Sequence, residues 1–403
     1  MLTRVYIDNF RSFVNFEYRP ERKQLLLGPN GSGKSSLLDA IRYVKRFIEG
    51  DENPFTQSTR TRWQDKPLQV VEIEALLDGK KYEYRVEIRF APETRQRSVN
   101  LEQLKVSGAF VFELANGEIR FFPDNSSEAK SIRYMTTKSA LHLSYMSNSH
   151  VSRFVEWMKL VHCLRIDAYP GAMDDSADSE EPQPDFELGN IAGWYRHSVG
   201  TYPLENVKFV ESMRSALDGF QALRFASEED GVRKLRADLA TAEDLSQEKV
   251  ASDHPVRKLA KGAKFPKGTG MSYAVATGQL APSVTSYTLS ELSDGQRCLL
   301  ALYMILHFLV ARGHTVFIDE PDNFISLREI QPWLLAAEEA VEDHRGQLIL
   351  ISHHPEILNQ WAQEYGLRFF REDNGHVRTQ KFKTDPDGNL QPSELIARGQ
   401  EDE

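Results

Sequence analysis

Gly28-Pro29-Asn30-Gly31-Ser32-Gly33-Lys34-Ser35 lies between two stretches of opposite character. Before it, Gln24-Leu25-Leu26-Leu27 reads as a short buried strand. After it, Ser35 to Phe47 repeats apolar residues at 37, 38, 41, 44 and 47, the spacing of one helical face. The octapeptide fits G-x-x-x-x-G-K-[ST]. Glycines let successive backbone N–H groups turn inward, Lys34 brings a point charge, and the Ser35 hydroxyl is placed to ligate a divalent cation. A helix N-terminus behind such a loop favours phosphate. Asn30, Gly31, Ser32, Gly33, Lys34, Ser35 and Ser36 are therefore the expected nucleotide-binding residues, with ATP and Mg²⁺ as ligands. The bland alternative is a Gly-rich surface loop.

A second run, Thr315-Val316-Phe317-Ile318, is β-branched and aromatic and ends in Asp319-Glu320-Pro321. Carboxylates at the C-terminal end of a central strand point into the crevice where ligands bind in open α/β sheets. Asp319 is assigned to Mg²⁺ through water, and Glu320 to polarising the attacking water. A solvated acidic turn before Pro321 is the competing reading.

The 403 residues hold one large or two ordinary domains, and 40% hydrophobic content suits a globular core. Net charge is −10, from 49 basic and 59 acidic residues, which argues against a general nucleic-acid coat but not against a local basic surface. Cys163 and Cys298 are the two cysteines, too few for a disulfide framework or a zinc site, so a reducing cytoplasm is expected. Met1 to Ile7 reads as a strand, not a signal peptide. The longest apolar run, Cys298 to Ala311, is too short to cross a bilayer and reads as a buried helix, so no membrane is expected.

Residues 1–125 are expected to form the first half of an ATPase head, the loop and its helix followed by an antiparallel β lobe. Asp78-Gly79 and Asn116-Gly117, each between alternating strand patterns, are two-residue hairpin signals. Residues 126–285 read as a mostly helical insertion, with apolar positions 151, 154, 155, 158 and 161 on one helix and Val207, Val210, Met213, Leu217 and Phe220 on another. Inside it, 170–187 carries seven acids, three prolines and no base, which predicts a mobile loop, either an interaction tail or a plain linker. His254 to Gly270 has Arg257, Lys258, Lys261, Lys264 and Lys267 and no acid. It is either a contact to a nucleic-acid backbone or a soluble basic loop. Residues 286–385 return to α/β and close the head, with a last hairpin at Asn374-Gly375, and 386–403 is a polar tail.

Leu292-Ser293-Asp294-Gly295-Gln296 resembles the LSGGQ signature of ABC-type ATPases, and Ser352-His353 resembles their switch histidine. Ile7-Asp8-Asn9-Phe10-Arg11-Ser12-Phe13 and Asp319-Glu320-Pro321-Asp322-Asn323 are similar to the RecF/SMC/OLD branch of that family. Between Lys34 and Leu292 lie far more residues than a transporter ATPase has, which fits an insertion. The resemblance implies an ABC-type P-loop head in which the signature of one subunit, through Ser293, Asp294, Gly295 and Gln296, closes over the P-loop of another. It further implies His353 as a sensor of the γ-phosphate and Arg11 near the nucleotide. Asp294 departs from the family glycine and sets a negative charge near a phosphate. Gln64, before the β lobe, is the candidate for a metal-side glutamine. Nothing after residue 385 resembles the Toprim nuclease of OLD proteins.

These expectations describe an ATPase, slow and regulatory, working as a homodimer or higher homo-oligomer. One function class is a switch that controls a separate effector, a nuclease or toxin, as in bacterial anti-phage modules. The alternative is a DNA-binding repair or clamping ATPase of RecF/SMC type. A stand-alone hydrolytic insertion ranks last, since the sequence there carries no metal cluster or triad.

Overall fold

Strands are numbered β1–β17 and helices α1–α9 along the chain. The structure, a computed structural model, describes residues 1–51, 53–91, 96–124, 128–134, 136–145, 147–169, 171–227, 232–240, 284–384 and 390–399. They divide into two units, Met1–Ile166 with Ile305–Glu403, and Asp167–Met304.

In the first unit, every residue of β14 (Thr315–Asp319) and β15 (Gln347–Ile351) is buried. Such near-continuous apolar runs are what a parallel strand covered on both faces requires. They lie inside a six-stranded sheet ordered β10-β14-β15-β3-β16-β17, with β3 at Lys23–Leu27, β10 at Val161–Arg165, β16 at Gly366–Arg371 and β17 at Val377–Lys381. All neighbours are parallel except β16 and β17, the expected final hairpin. The phosphate loop leaves the end of β3 and enters α1 (Lys34–Ile48), whose buried Leu37, Leu38, Ile41, Val44 and Phe47 are the predicted stripe.

An eight-stranded antiparallel sheet, ordered β2-β1-β4-β5-β6-β7-β8-β9, forms the expected β lobe, with β4 at Leu68–Leu77, β5 at Lys80–Phe90, β6 at Arg97–Val106, β7 at Ala109–Ala115, β8 at Glu118–Phe121 and β9 at Lys130–Arg133. Its hairpins turn at Asp78-Gly79 and Asn116-Gly117, where both residues take positive φ (50° and 76°, 53° and 75°), the two-residue turn that matches strand twist. Aromatic packing and an amide bridge help tie this sheet to the parallel one. The Phe13 ring stacks on Phe16 of β2 (Phe16–Tyr18), which leans on Phe369 of β16. The buried Gln347 amide accepts from Leu2 N–H and donates to Leu2 O, so a β15 side chain completes the backbone of β1 (Leu2–Asp8).

Helix α2 (His142–Tyr145), α3 (Ser149–Lys159) and β10 belong to this first unit, which corrects the expected start of the insertion at 126. Val161-His-Cys-Leu-Arg165 follows α3 after a single turn residue, Leu160, with no glycine or proline to mark it, so the helical periodicity hid a strand. Lys45 of α1 anchors it, donating to Lys159 O and Val161 O. Beside it, His162 and His314 stack at 5.2 Å with Nε2 and Nδ1 3.1 Å apart.

The second unit is not mostly helical among the described residues. It contains α4 (Ile191–Thr201) and α5 (Pro203–Ala216), but also a three-stranded antiparallel sheet of β11 (Phe220–Ser227), β12 (Arg233–Ala240) and β13 (Val284–Thr288). Arg233-Lys-Leu-Arg-Ala-Asp-Leu-Ala240 is too polar to read as a strand by composition, and its pairing comes from its neighbours. Phe220 therefore lies in a strand, and α5 buries Phe209 and Met213 while Val207 is exposed, unlike the predicted face. The acidic stretch is likewise no free loop. Ala177 N–H donates to Arg233 O, Leu235 N–H donates to Asp175 O, Met173 and Ala177 are buried, and the Asp185 carboxylate accepts from Gly189 and Asn190 N–H. Arg257, Lys258, Lys261, Lys264 and Lys267 lie outside the described residues.

Helix α6 (Asp294–Phe308) is followed by a short 3₁₀ turn at Val310–Arg312. The stretch Asp294–Arg312 is apolar and long enough to cross a membrane by composition, but 78% of it is buried inside the fold, as in a core helix. Helices α7 (Leu327–His344), α8 (Pro355–Tyr365) and α9 (Pro392–Arg398) complete the chain.

Candidate functional site

The C-terminal ends of β3, β14, β15 and β10 bring the predicted chemistry of the first unit together. At Gly28, with φ 130°, a Cβ would fall 2.2 Å from Phe369 O, so the loop's first turn admits no side chain. Gly33, just before α1, sits at φ 111° against Val377 and Phe13. Lys34 folds back on its own loop, donating to Gly28 O (2.6 Å) and Pro29 O (3.2 Å). Burial lowers its pKa, opposed by the charges of Asp319 and Glu320. Asn30 and Gly31 are exposed at the tip, and Gly31 O accepts from Arg371 Nε. The Ser32 hydroxyl is buried with no hydrogen-bond partner. An orphaned donor in a loop of inward-turning backbone is what a phosphate would satisfy.

Asp319, 2% exposed, presents Oδ2 to two donors, Ser35 Oγ and Arg165 Nη2, each at 3.0 Å. Ser35 and Asp319 offer the few hard oxygen donors that Mg²⁺ takes from a protein beside a phosphate, so the residues fit that ion. Next to it, Glu320 has φ 54°, a left-handed conformation that costs a non-glycine residue strain. Its N–H is held by Ile351 O at 2.8 Å, and its carboxylate accepts from Asn323 Nδ2 at 2.9 Å. His353 follows β15 and is exposed. Desolvation first, then the Lys34 charge, holds its imidazole below the usual histidine range, neutral near pH 7. His354 points elsewhere and caps α8, its Nδ1 accepting from Glu356 N–H.

Arg11, with φ 49°, pairs with Asp39 of α1 and reaches Ser36 Oγ at 3.4 Å. With Ser36, Arg60, Arg62, Trp63 and Arg371 it lines a cavity of about 310 Å³ beside the phosphate loop. Gln64 lines an adjoining cavity of about 290 Å³ with Gln57, Arg60 and Asp65, and its buried Oε1 has no partner. The side chain delivered to Asp319 is instead Arg165, which the sequence reading missed. The available signal was a short aliphatic strand ending in a charge, as β14 does. Trp63 and the three further arginines were also missed, because loop residues carry no periodicity.

The signature lies in the second unit. Ser293 N–H donates to Gln296 Oε1 at 2.9 Å and Gln296 N–H donates to Ser293 Oγ at 3.3 Å, a reciprocal capping box that starts α6. Asp294, in the first turn of α6, pairs with Arg297. The Arg297 guanidinium, 1% exposed, also donates to Ala168 O, Leu289 O and Leu292 O, fixing the loop before the helix. Asp294 thus has its charge balanced locally.

A strand-loop-helix phosphate site with a carboxylate at the end of β14, one strand beyond β3's neighbour β15, defines a P-loop nucleotide-binding protein. A family model described as "AAA domain" matches residues 4–179, and one described as "AAA domain, putative AbiEii toxin, Type IV TA system" matches 276–359. Over these two stretches the chain resembles AAA-domain ATPases. The SMC head domain from Thermotoga maritima is a similar solved structure, at 13% identity and a TM-score of 0.44, covering 95% of this chain and 99% of that one. No curated protein matches the chain.

Proposed function

We propose that the protein is an ATP- and Mg²⁺-dependent switch whose head-to-tail homodimer closes around nucleotide and controls a separate effector. The observation that carries it is the Ser35–Asp319 contact at the mouth of a phosphate loop, with the signature box built in another unit. Lys34 exchanges the Gly28 and Pro29 carbonyls for phosphate oxygens. Ser35 and Asp319 hold Mg²⁺, which when bound neutralises charge developing on the phosphates. Glu320, pinned by Asn323, orients the attacking water, and neutral His353 offers the γ-phosphate a hydrogen bond. The cavity under Trp63 takes ribose and base, with Arg11 near the inner phosphates. Ser293 and Gly295 come from the second copy.

The description of the second family model, a putative toxin of a toxin–antitoxin system, supports a defence role, in which the proposed effector, a toxin or nuclease, is a separate protein in the cytoplasm. The basic stretch 257–267 favours DNA clamping as the second reading.

Mixing tests the shared site. Lys34→Ala and Ser293→Ala proteins are each inactive alone. Combined, they regain up to about a quarter of wild-type hydrolysis per protomer, because half of the dimers are mixed and each of these rebuilds one intact site. No recovery, with mixed dimers verified, contradicts a site built from two copies.

A further inference from the structure

Arg165 is the last residue of β10 and stands in register with Asp319 across the parallel pair, so both side chains leave the sheet at one level. Its Nη2 binds the same Oδ2 that accepts from Ser35. The two partners differ in environment. Asp319 is 3% exposed at its side chain, whereas Arg165 is 44% exposed and approaches from the solvent side. An exposed arginine gains little from an ion pair, but a buried carboxylate left without a cation is costly. The contact therefore serves the aspartate. That oxygen is also the one beside Ser35, where a metal shell has to form. A guanidinium and a divalent cation repel each other there, so they compete for it.

We propose that Arg165 is the resident counter-cation of Asp319, which Mg²⁺ displaces on nucleotide loading, so that Arg165 sets the Mg²⁺ concentration at which nucleotide is held. The α1 clamp on β10, Lys45 to Lys159 O and Val161 O, keeps the strand in place while the side chain swings out. Arg165 is a positioning residue acting through Asp319, and this role rests on the Mg²⁺–nucleotide reading of the site.

The test is equilibrium binding of a fluorescent, non-hydrolysable ATP analogue to the full chain across a Mg²⁺ titration, with the ligand-free melting temperature as a second readout. Arg165→Gln is expected to lower the half-saturating Mg²⁺ roughly three- to tenfold, the scale of a partly exposed ion pair. Its binding in EDTA stays at the wild-type level, and its melting temperature falls without Mg²⁺ and recovers with it. Arg165→Lys keeps the charge on a single-point donor and falls between the two, carrying the same test if the glutamine variant does not fold. A merely structural arginine would lower the melting temperature and leave the Mg²⁺ midpoint unmoved; that result, or a raised midpoint, overturns the proposal. Wild-type protein showing no Mg²⁺-dependent binding at all overturns the nucleotide reading with it.

Discussion

The two halves of the nucleotide chemistry satisfy their polar groups in different ways. In the first unit the partners are stand-ins: Lys34 holds loop carbonyls, Asp319 holds a guanidinium, and the Ser32 hydroxyl holds nothing. In the second unit the signature is closed on itself, Ser293 with Gln296 and Asp294 with Arg297, as any well-capped helix start would be. Stand-ins can be exchanged for a ligand at little net cost, because one hydrogen bond replaces another. A capping box has no vacancy to fill and supplies direction, a helix N-terminus with its positive end exposed. On the proposed function, the first unit is the loading half and the signature half responds to a nucleotide already held.

The largest effect should come from breaking the loading half. Lys34→Ala removes the only charge on the loop, and nucleotide affinity should fall by at least about a hundredfold, the scale of charge-assisted phosphate bonds, as measured by calorimetry. Equivalent changes at Ser293 should leave affinity in the separated protomer within about twofold, since on the proposed reading its phosphate contact is made in trans. Equal losses from both would erase the distinction between the halves.

Asp294→Gly sharpens the comparison from the other side. It removes a negative charge from a helix start that is meant to meet a phosphate, so steady-state hydrolysis should rise a few-fold with unchanged ATP affinity. The cost to stability should be on the order of 1–3 kcal/mol, because Asp294 is the carboxylate partner of the buried Arg297 guanidinium. A rate that falls would mean that Asp294, held by Arg297, is part of the working signature.

A smaller effect concerns pH. Burial holds His314 down to about 3 and His162 well below its usual range. Their neutral forms are favoured by folding, so this stability is present above the unfolded value near 6.5 and is lost as pH falls toward 3. Glu102 works the other way. Burial lifts it to about 7 while it accepts from Tyr84, Ser139 and Ala140, so its contribution is full below the ordinary carboxylate range and lost as pH rises through 7. Urea midpoints should fall less steeply between pH 6.5 and 3 in His314→Asn, and fall less between pH 4.5 and about 7 in Glu102→Gln, neither touching nucleotide affinity.

Motif-bearing parts of the molecule were legible in the sequence because glycine placement and strand ends have local causes. The loop at Gly28–Ser35, the hairpins at Asp78 and Asn116, and the buried β14 with Asp319 appear where their residues put them. What stayed hidden is nonlocal. β10 is a strand because α1 and β14 hold it, and Arg165 meets Asp319 only through that pairing. β12 is too charged to read as a strand, and the acidic stretch after Gly171 looked free because its partner, Arg233, lies far along the chain. Gln64 was chosen for its residue type and its place before the β lobe, and the structure sets it in a cavity with Gln57, Arg60 and Asp65.

The most direct measurement is the solution mass of Glu320→Gln, which keeps every phosphate contact but cannot polarise water. The account predicts a monomer without nucleotide and a dimer with ATP and Mg²⁺, DNA being absent. A protein that stays monomeric with saturating ATP, or whose mass is the same in both conditions, contradicts a site shared between two copies.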